Sequence, residues 1–469
     1  MPLGQTISLY QLFDVTESGK APNKNYAYTV NTQYKATLAS VLKIAETSKD
    51  EDFAAAVAKL GKDNSPEVQN FANDFTATAL KNKLSATKTS NKITESKTSY
   101  DFNELKPGYY LVYVTGGKEI QSSLVTVDES TKTVNLKTEA PSIIKTANKP
   151  SVNIGDVVTY TVTGSVPDTT GYSEYVYKIH DTLSKGLDFV KNANGEALDN
   201  ENEVNVTVSF GKGSTDAGTA PTTAALDTTN KRKMSLDLSE WVRANRTNKG
   251  KEFTVTYYAK VNKDAVVTEK NSAQLEYGNK PGETTTTTPS EAKTPTYPLD
   301  INKIKAGTEV DRLAGAKFKL YSSKTDADSA NENAITVSGS NGNYVIDPTS
   351  STTEFVSVKS IEEKGYNLRV NGLAEGTYYL VETKAPDGFN KLTAPIEVKI
   401  TKSTDTDINN WTISKDSKVE NDKIIDVENS TGSLLPSTGG MGTIAFTVVA
   451  ALLVLGVAVS FIRDRKREN

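Results

Sequence analysis

The sequence predicts a mainly β protein, a row of tandem β-sandwich domains with a transmembrane helix at the C-terminus. Three observations carry that prediction. Runs such as VVTYTVTGSV, KEFTVTYYAKV, TYYLVET and PIEVKIT alternate or cluster β-branched and aromatic residues between turn residues, the pattern of half-buried strands. The length, 469 residues, suits about three domains. One uncharged apolar run, Gly442 to Ile462, stands close to the end of an otherwise polar chain.

Residues 1–140 predict a mixed domain. TISLYQLF opens it as a strand, and a helical insertion follows from roughly Tyr34 to Leu84. Within the insertion, Ser65-Pro66-Glu67 is a helix start, with Ser as N-cap and Pro in the first turn. Val68, Phe71, Phe75 and Ala79 then recur at helical spacing. Strands return in YDFNELKPGYYLVYVT and SSLVTV.

Residues 141–280 are strand-rich, through YVYKIHD, VNVTVSF and SAQLEY as well as the runs above, and predict a sandwich of antiparallel sheets. Residues 281–296, within NKPGETTTTTPSEAKTPTYP, predict a Thr/Pro-rich linker. Residues 297–430 form a third unit, with FKLYSS and YNLRVNGL among its clearest strands. Residues 431–469 hold the apolar run 442–462, and about 20 apolar residues cross a bilayer core. Arg463, Arg465, Lys466 and Arg467 follow it, which orients the end toward the cytoplasm and everything earlier outside.

Composition narrows the function. The net charge is −4, and this mild acidity argues against a nucleic-acid partner. Cysteine is absent, so disulfides and thiolate metal sites are excluded. Neither a metal-ligand cluster, a catalytic triad motif nor a phosphate loop appears, so no cofactor or metal is expected and an enzyme is disfavoured. The start, MPLGQTISLY, has no apolar h-region, which places it downstream of a signal peptide.

An internal echo singles out one carboxylate. LKPGYYLVY in the first domain resembles LAEGTYYLVE in the third. Strand alternation puts Tyr379, Val381 and Thr383 on one face and Leu380 and Glu382 on the other. Leu380 suits a core, so Glu382 points inward with it. A buried carboxylate is costly unless paired or protonated. A Glu at a sheet edge paired with Lys is the plainer alternative. The echo has Tyr113 where the third domain has Glu382. His180, the only histidine, adjoins Asp181, but alternation points the two apart, so a surface or structural role is expected.

Two sets of motifs carry a family resemblance. Leu435-Pro436-Ser437-Thr438-Gly439 resembles the L-P-x-T-G sorting signal of Gram-positive surface proteins. YYLVETKAPDGF resembles the E-box of Cna B-type immunoglobulin-like domains, INKIKAGTEVDRLAGAKFKLY their opening, and DVENS their closing strand. Together they resemble the backbone subunits of sortase-assembled pili.

In the first signal, the resemblance implies that a sortase cysteine attacks the Thr438–Gly439 carbonyl and an amine resolves the acyl enzyme. The span 442–462 then serves as a temporary membrane hold. The resemblance also implies intramolecular Lys–Asn isopeptide bonds. Burial lowers a lysine's pKa and raises a carboxyl's. The amine can then act as nucleophile while the acid polarises the Asn carbonyl and shuttles protons. In the third domain the implied residues are Lys303 and Asn429, with Glu382 catalytic and Lys305 as rival lysine.

The middle domain resembles the Cna A-type relative, where an aspartate replaces the glutamate, and implies Lys145 and Asn271 with Asp181 catalytic. Tyr113 in the first, Cna B-like, domain implies no such bond there, or one built on a different acid. A pilus backbone further needs an amine donor, and TVNLKTEAP offers Lys137, with Lys132 and Lys118 as alternatives. The implied partners are sortase, other copies of the chain and peptidoglycan, with minor pilins and host proteins as further candidates. A monomeric wall-anchored adhesin binding a host protein is the second reading.

Overall fold

The computed structural model describes residues 5–432, apart from 21–22, 62–64, 96–98, 115–120, 129–131, 136–139, 170–173, 266, 268, 279–281, 283 and 405–406. The LPSTG pentapeptide, the span 442–462, Lys118 and Lys137 lie outside the described residues. Contacts divide the chain into two units, meeting at Thr296 and Tyr297. The first unit holds both the mixed domain and the middle sandwich.

In the mixed domain, Ile7–Ser18 and Gly108–Val114 are the central antiparallel pair, flanked by Asn25–Val30 and Gln121–Val127. Helices Lys35–Leu42, Asp50–Ala58 and Pro66–Lys81 make up the expected insertion. Ser65 accepts a hydrogen bond from the Val68 N–H, so the predicted N-cap is formed. The spacing of Phe71, Phe75 and Ala79 puts all three in the core that the helices share with Tyr10, Leu111 and Tyr113. Tyr110, Val112 and Val114, of opposite parity, fill a second core on the other face of the sheet.

The middle domain is a sandwich of two antiparallel sheets. Val176–Leu183 and Lys270–Gly278 are neighbours in one, while Ile144–Ala147, Val157–Ser165 and Glu252–Val261 run side by side in the other. The pattern of Glu252–Val261, with every second residue buried, is the alternation its sequence predicts. The Thr/Pro-rich stretch does not act as a plain linker. Thr285–Thr286 and Ser290–Lys293 both pair with Lys270–Gly278. The Ser290 hydroxyl also accepts the backbone N–H of Lys145 at 2.9 Å. Threonine is β-branched, and a run of it serves as an edge strand as readily as a spacer.

The third domain has a five-stranded and a six-stranded sheet. Its first strand, Tyr297–Lys305, and its last, Ile424–Asn429, are parallel neighbours in the five-stranded sheet. Gly376–Lys384 lies in the six-stranded sheet between Lys317–Tyr321 and Ile396–Thr401. Leu380 and Glu382 are both buried on one face of that strand, as alternation requires.

Candidate functional site: two buried lysine clusters

Among the described residues only two lysines are fully buried, Lys145 and Lys303. An isolated ammonium is costly to desolvate, so each needs a compensating group or must lose its proton. Both have a carboxyl beside them.

In the middle domain, Lys145 and Tyr257 come from one sheet and Asp181 and Asn271 from the other. Lys145 Nζ lies 2.6 Å from Asp181 Oδ2, with both side chains fully buried. Nζ also donates to the Tyr257 hydroxyl, which in turn donates to Asp181 Oδ2 at 2.6 Å. Asn271 Nδ2 donates to the same hydroxyl at 3.5 Å. The rings of Tyr160 and Tyr257 stand 4.8 and 4.6 Å from Nζ. Burial pushes the Lys145 amine below its ordinary range against the opposing pull of Asp181. Burial likewise pushes Asp181 up, against Lys145 and its hydrogen bonds. Both shifts favour the neutral pair.

In the third domain, Lys303 Nζ lies 3.4 Å from Glu382 Oε1, an ion-pair distance without hydrogen-bond alignment, and donates to the Val427 carbonyl at 3.2 Å. Glu382 Oε2 accepts from Asn429 Nδ2 at 2.9 Å and from the Leu392 N–H at 2.8 Å. Asn429 Nδ2 also donates to the Asn390 carbonyl at 2.9 Å. The Phe318 ring stands 5.8 Å from Nζ. Burial lowers the Lys303 pKa to about 8, with Glu382 opposing the shift. Lys305, of the same parity as Lys303, is only half-buried, so it is Lys303 that stands against Glu382.

The two clusters share an unusual detail. Asp181 Oδ1 and Asn271 Oδ1 make no hydrogen bond, and neither do Glu382 Oε1 and Asn429 Oδ1. A buried acceptor left unmade costs about 1–3 kcal/mol. A proton on Asp181, which burial favours, would convert its orphan acceptor into a donor. That donor is what an acid polarising an amide carbonyl requires.

The remaining expected residues separate from these clusters. His180 points away from Asp181, as its parity predicts, and its Nε2 lies 2.8 Å from Glu276 Oε2. Tyr113 is buried, and its hydroxyl makes no hydrogen bond among the described residues. The strand Ile7–Ser18 of that domain contains no lysine. Lys132 pairs with Asp128 at 3.0 Å. Sequence reasoning missed Tyr257. Its inward parity between Val255 and Ala259 was the available signal, because a hydroxyl on a core face needs a polar partner.

Comparisons with known proteins divide along the chain. Residues 298–415 match the family described as the SpaA prealbumin-like fold domain. Residues 427–469 match the LPXTG cell wall anchor motif, so the chain ends in a cell-wall anchor. A fimbrial subunit type 1 of Actinomyces viscosus is 29% identical over 213 residues, covering 40% of this chain and 36% of that protein. The chain therefore matches little more than a third of that curated relative's length. Among solved structures, the T6 backbone pilin of serotype M6 Streptococcus pyogenes is 17% identical, with 92% of this chain and 96% of that one covered and a TM-score of 0.46. The pilus 2b backbone protein of group B streptococcus is 24% identical, with 62% and 99% covered and a TM-score of 0.41.

Proposed function

We propose that the chain is the structural subunit of a covalent pilus on a Gram-positive surface, polymerised by sortase, anchored to peptidoglycan and stitched internally by two Lys–Asn isopeptide bonds. Its role is adhesion and mechanical support rather than turnover of a substrate, with minor pilins and host proteins as further partners. The observation that carries the reading is the pair of buried clusters, each bringing a desolvated lysine and an asparagine to one buried acid. The cell-wall anchor at 427–469 and the likeness to a fimbrial subunit support the surface assembly.

The internal chemistry is an amide exchange. A neutral Nζ adds to the Asn side-chain carbonyl, the acid holds the developing oxyanion with its proton, and ammonia leaves. Holding the groups in one dry core makes the step effectively unimolecular. It therefore needs no enzyme beyond the domain's own fold.

The assembly is tested on cells. Immunoblots of wall extracts should show high-molecular-weight ladders that survive boiling in detergent. Lys137→Ala should remove them while the single subunit still reaches the wall. Ladders in that variant would place the amine donor at another lysine, and no ladders in the wild type would favour the monomeric adhesin.

The Lys303 amine gives a pH signature. The reactive state, a neutral amine beside an acid that carries its proton, holds the same single proton as the Lys303–Glu382 ion pair, so acid between pH 6 and pH 8 does not deplete it. Above about 8 the pair loses that proton. Bond formation in newly synthesised third domain should be steady from pH 6 to pH 8 and fall about tenfold for each further unit of base. Quantifying the linked Lys303–Asn429 peptide in cell-free synthesis at several pH values checks this, and a rate that rises through pH 8 and stays high would contradict it.

A further inference from the structure

We infer that the Tyr257 hydroxyl is a catalytic residue of the middle domain, carrying the proton from the Lys145 amine to the departing Asn271 nitrogen. This rests on the isopeptide reading above and adds a fourth member to that cluster.

The geometry makes the assignment. One oxygen, Tyr257 Oη, touches all three other groups. It accepts from Lys145 Nζ and from Asn271 Nδ2, and it donates to Asp181 Oδ2. The exchange requires a proton to leave the first nitrogen and another to reach the second, and Oη is the atom between them.

The third domain shows why a relay is needed in one cluster and not the other. There Glu382 itself bonds the leaving nitrogen, Asn429 Nδ2, at 2.9 Å, and the nearby aromatic ring is Phe318, which has no hydroxyl. Aspartate is one methylene shorter than glutamate. In the middle domain the hydrogen bond from Nδ2 goes to Tyr257 instead.

The step balances. The Lys145 Nζ–Asn271 Cγ bond forms and the Cγ–Nδ2 bond breaks. Nζ gives one proton to Oη, and the hydroxyl turns from Asp181 to Nδ2 and gives it one. Ammonia leaves, and tyrosine ends as the phenol it began as. A hydroxyl can make this turn because its hydrogen rotates freely about the C–O bond. Burial and Asp181 hold the Tyr257 phenol well above its ordinary range, so it stays protonated and available as donor.

The test follows both bonds in the full chain, made by cell-free synthesis into detergent and sampled over time. The linked Lys145–Asn271 and Lys303–Asn429 peptides are quantified by mass spectrometry. Tyr257→Phe should slow the first bond about a hundredfold, within the range of general acid–base catalysis, and leave the second at the wild-type rate. Tyr160→Phe is the control. Its ring also covers Lys145, but its hydroxyl lies 3.5 Å from the Thr294 hydroxyl, and linking should proceed at full rate.

Difluorotyrosine at 257 keeps the shape and lowers the phenol's pKa. It should change the rate of the first bond at a fixed pH and leave the second untouched, and this decides the matter if Tyr257→Phe fails to fold. A Tyr257→Phe chain linked as fast as wild type, or an unchanged rate of the first bond with difluorotyrosine, overturns the assignment while leaving the bond itself intact. A wild-type chain with no Lys145–Asn271 linkage overturns the isopeptide reading on which it stands.

Discussion

Glu382→Ala is expected to leave Lys303 and Asn429 unlinked and to restore the mass of one ammonia, about 17 Da, to the intact chain. The wild-type chain ending at Ser430 should be about 34 Da lighter than its sequence mass, one ammonia for each of two bonds, and the variant should show half that deficit. The middle domain's bond should persist, because Lys145, Asp181 and Asn271 lie in a different core. The stability effect is large. A cross-link closing a loop of over a hundred residues removes chain entropy as a disulfide does, on the order of 4 kcal/mol in the loop-closure model. That corresponds to a fall in the third domain's melting temperature on the order of 10 °C.

Asn429→Ala separates the causes. It removes the bond but keeps Glu382 beside Lys303, so a melting temperature equal to that of Glu382→Ala would assign the loss to the cross-link rather than to the buried pair. A wild-type chain at its full sequence mass would dispose of both bonds at once.

Thr438→Ala is expected to abolish both polymerisation and wall attachment. The anchor matched at 427–469 includes the pentapeptide, and in the proposed function the carbonyl of the Thr438–Gly439 bond is the one that sortase attacks. With the bond uncleaved, the chain should remain in the membrane fraction, held by the apolar run 442–462. Fractionation with immunoblotting reads this directly, and wild-type amounts in the wall fraction would refute the role of Thr438.

Parity along strands made much of the site legible. Glu382 is buried because it shares a face with Leu380, and His180 turns away from Asp181 for the same reason. Local capping chemistry was equally direct, as the Ser65 hydroxyl on Val68 shows. What the sequence hides is partnership between strands that are distant along the chain. Lys303 and Lys305 share parity and cannot be separated without knowing which one meets Glu382. Tyr257 has an inward position like its apolar neighbours, and its part depends on the facing sheet delivering Asp181 and Asn271 to its hydroxyl.

The Thr/Pro-rich stretch shows the opposite failure. Its composition resembles a spacer, but Ser290–Lys293 pairs with Lys270–Gly278, and Ala292, Thr294 and Thr296 are buried. VNVTVSF likewise reads as one strand and in fact divides between the two sheets of the sandwich.

The parallel pairing of Tyr297–Lys305 with Ile424–Asn429 bears on how a fibre carries tension. Force applied along the chain enters the third domain through its first strand and leaves through its last. Those two strands lie side by side and point the same way, so pulling loads them in shear. An amide joining Lys303 to Asn429 gives the load a covalent route between them. The chain between the two residues then lies outside the force path and has no need to unravel. With the proposed bond in place, the clamp on the domain is of the same kind as the peptide backbone, and the domain should transmit a pull without lengthening.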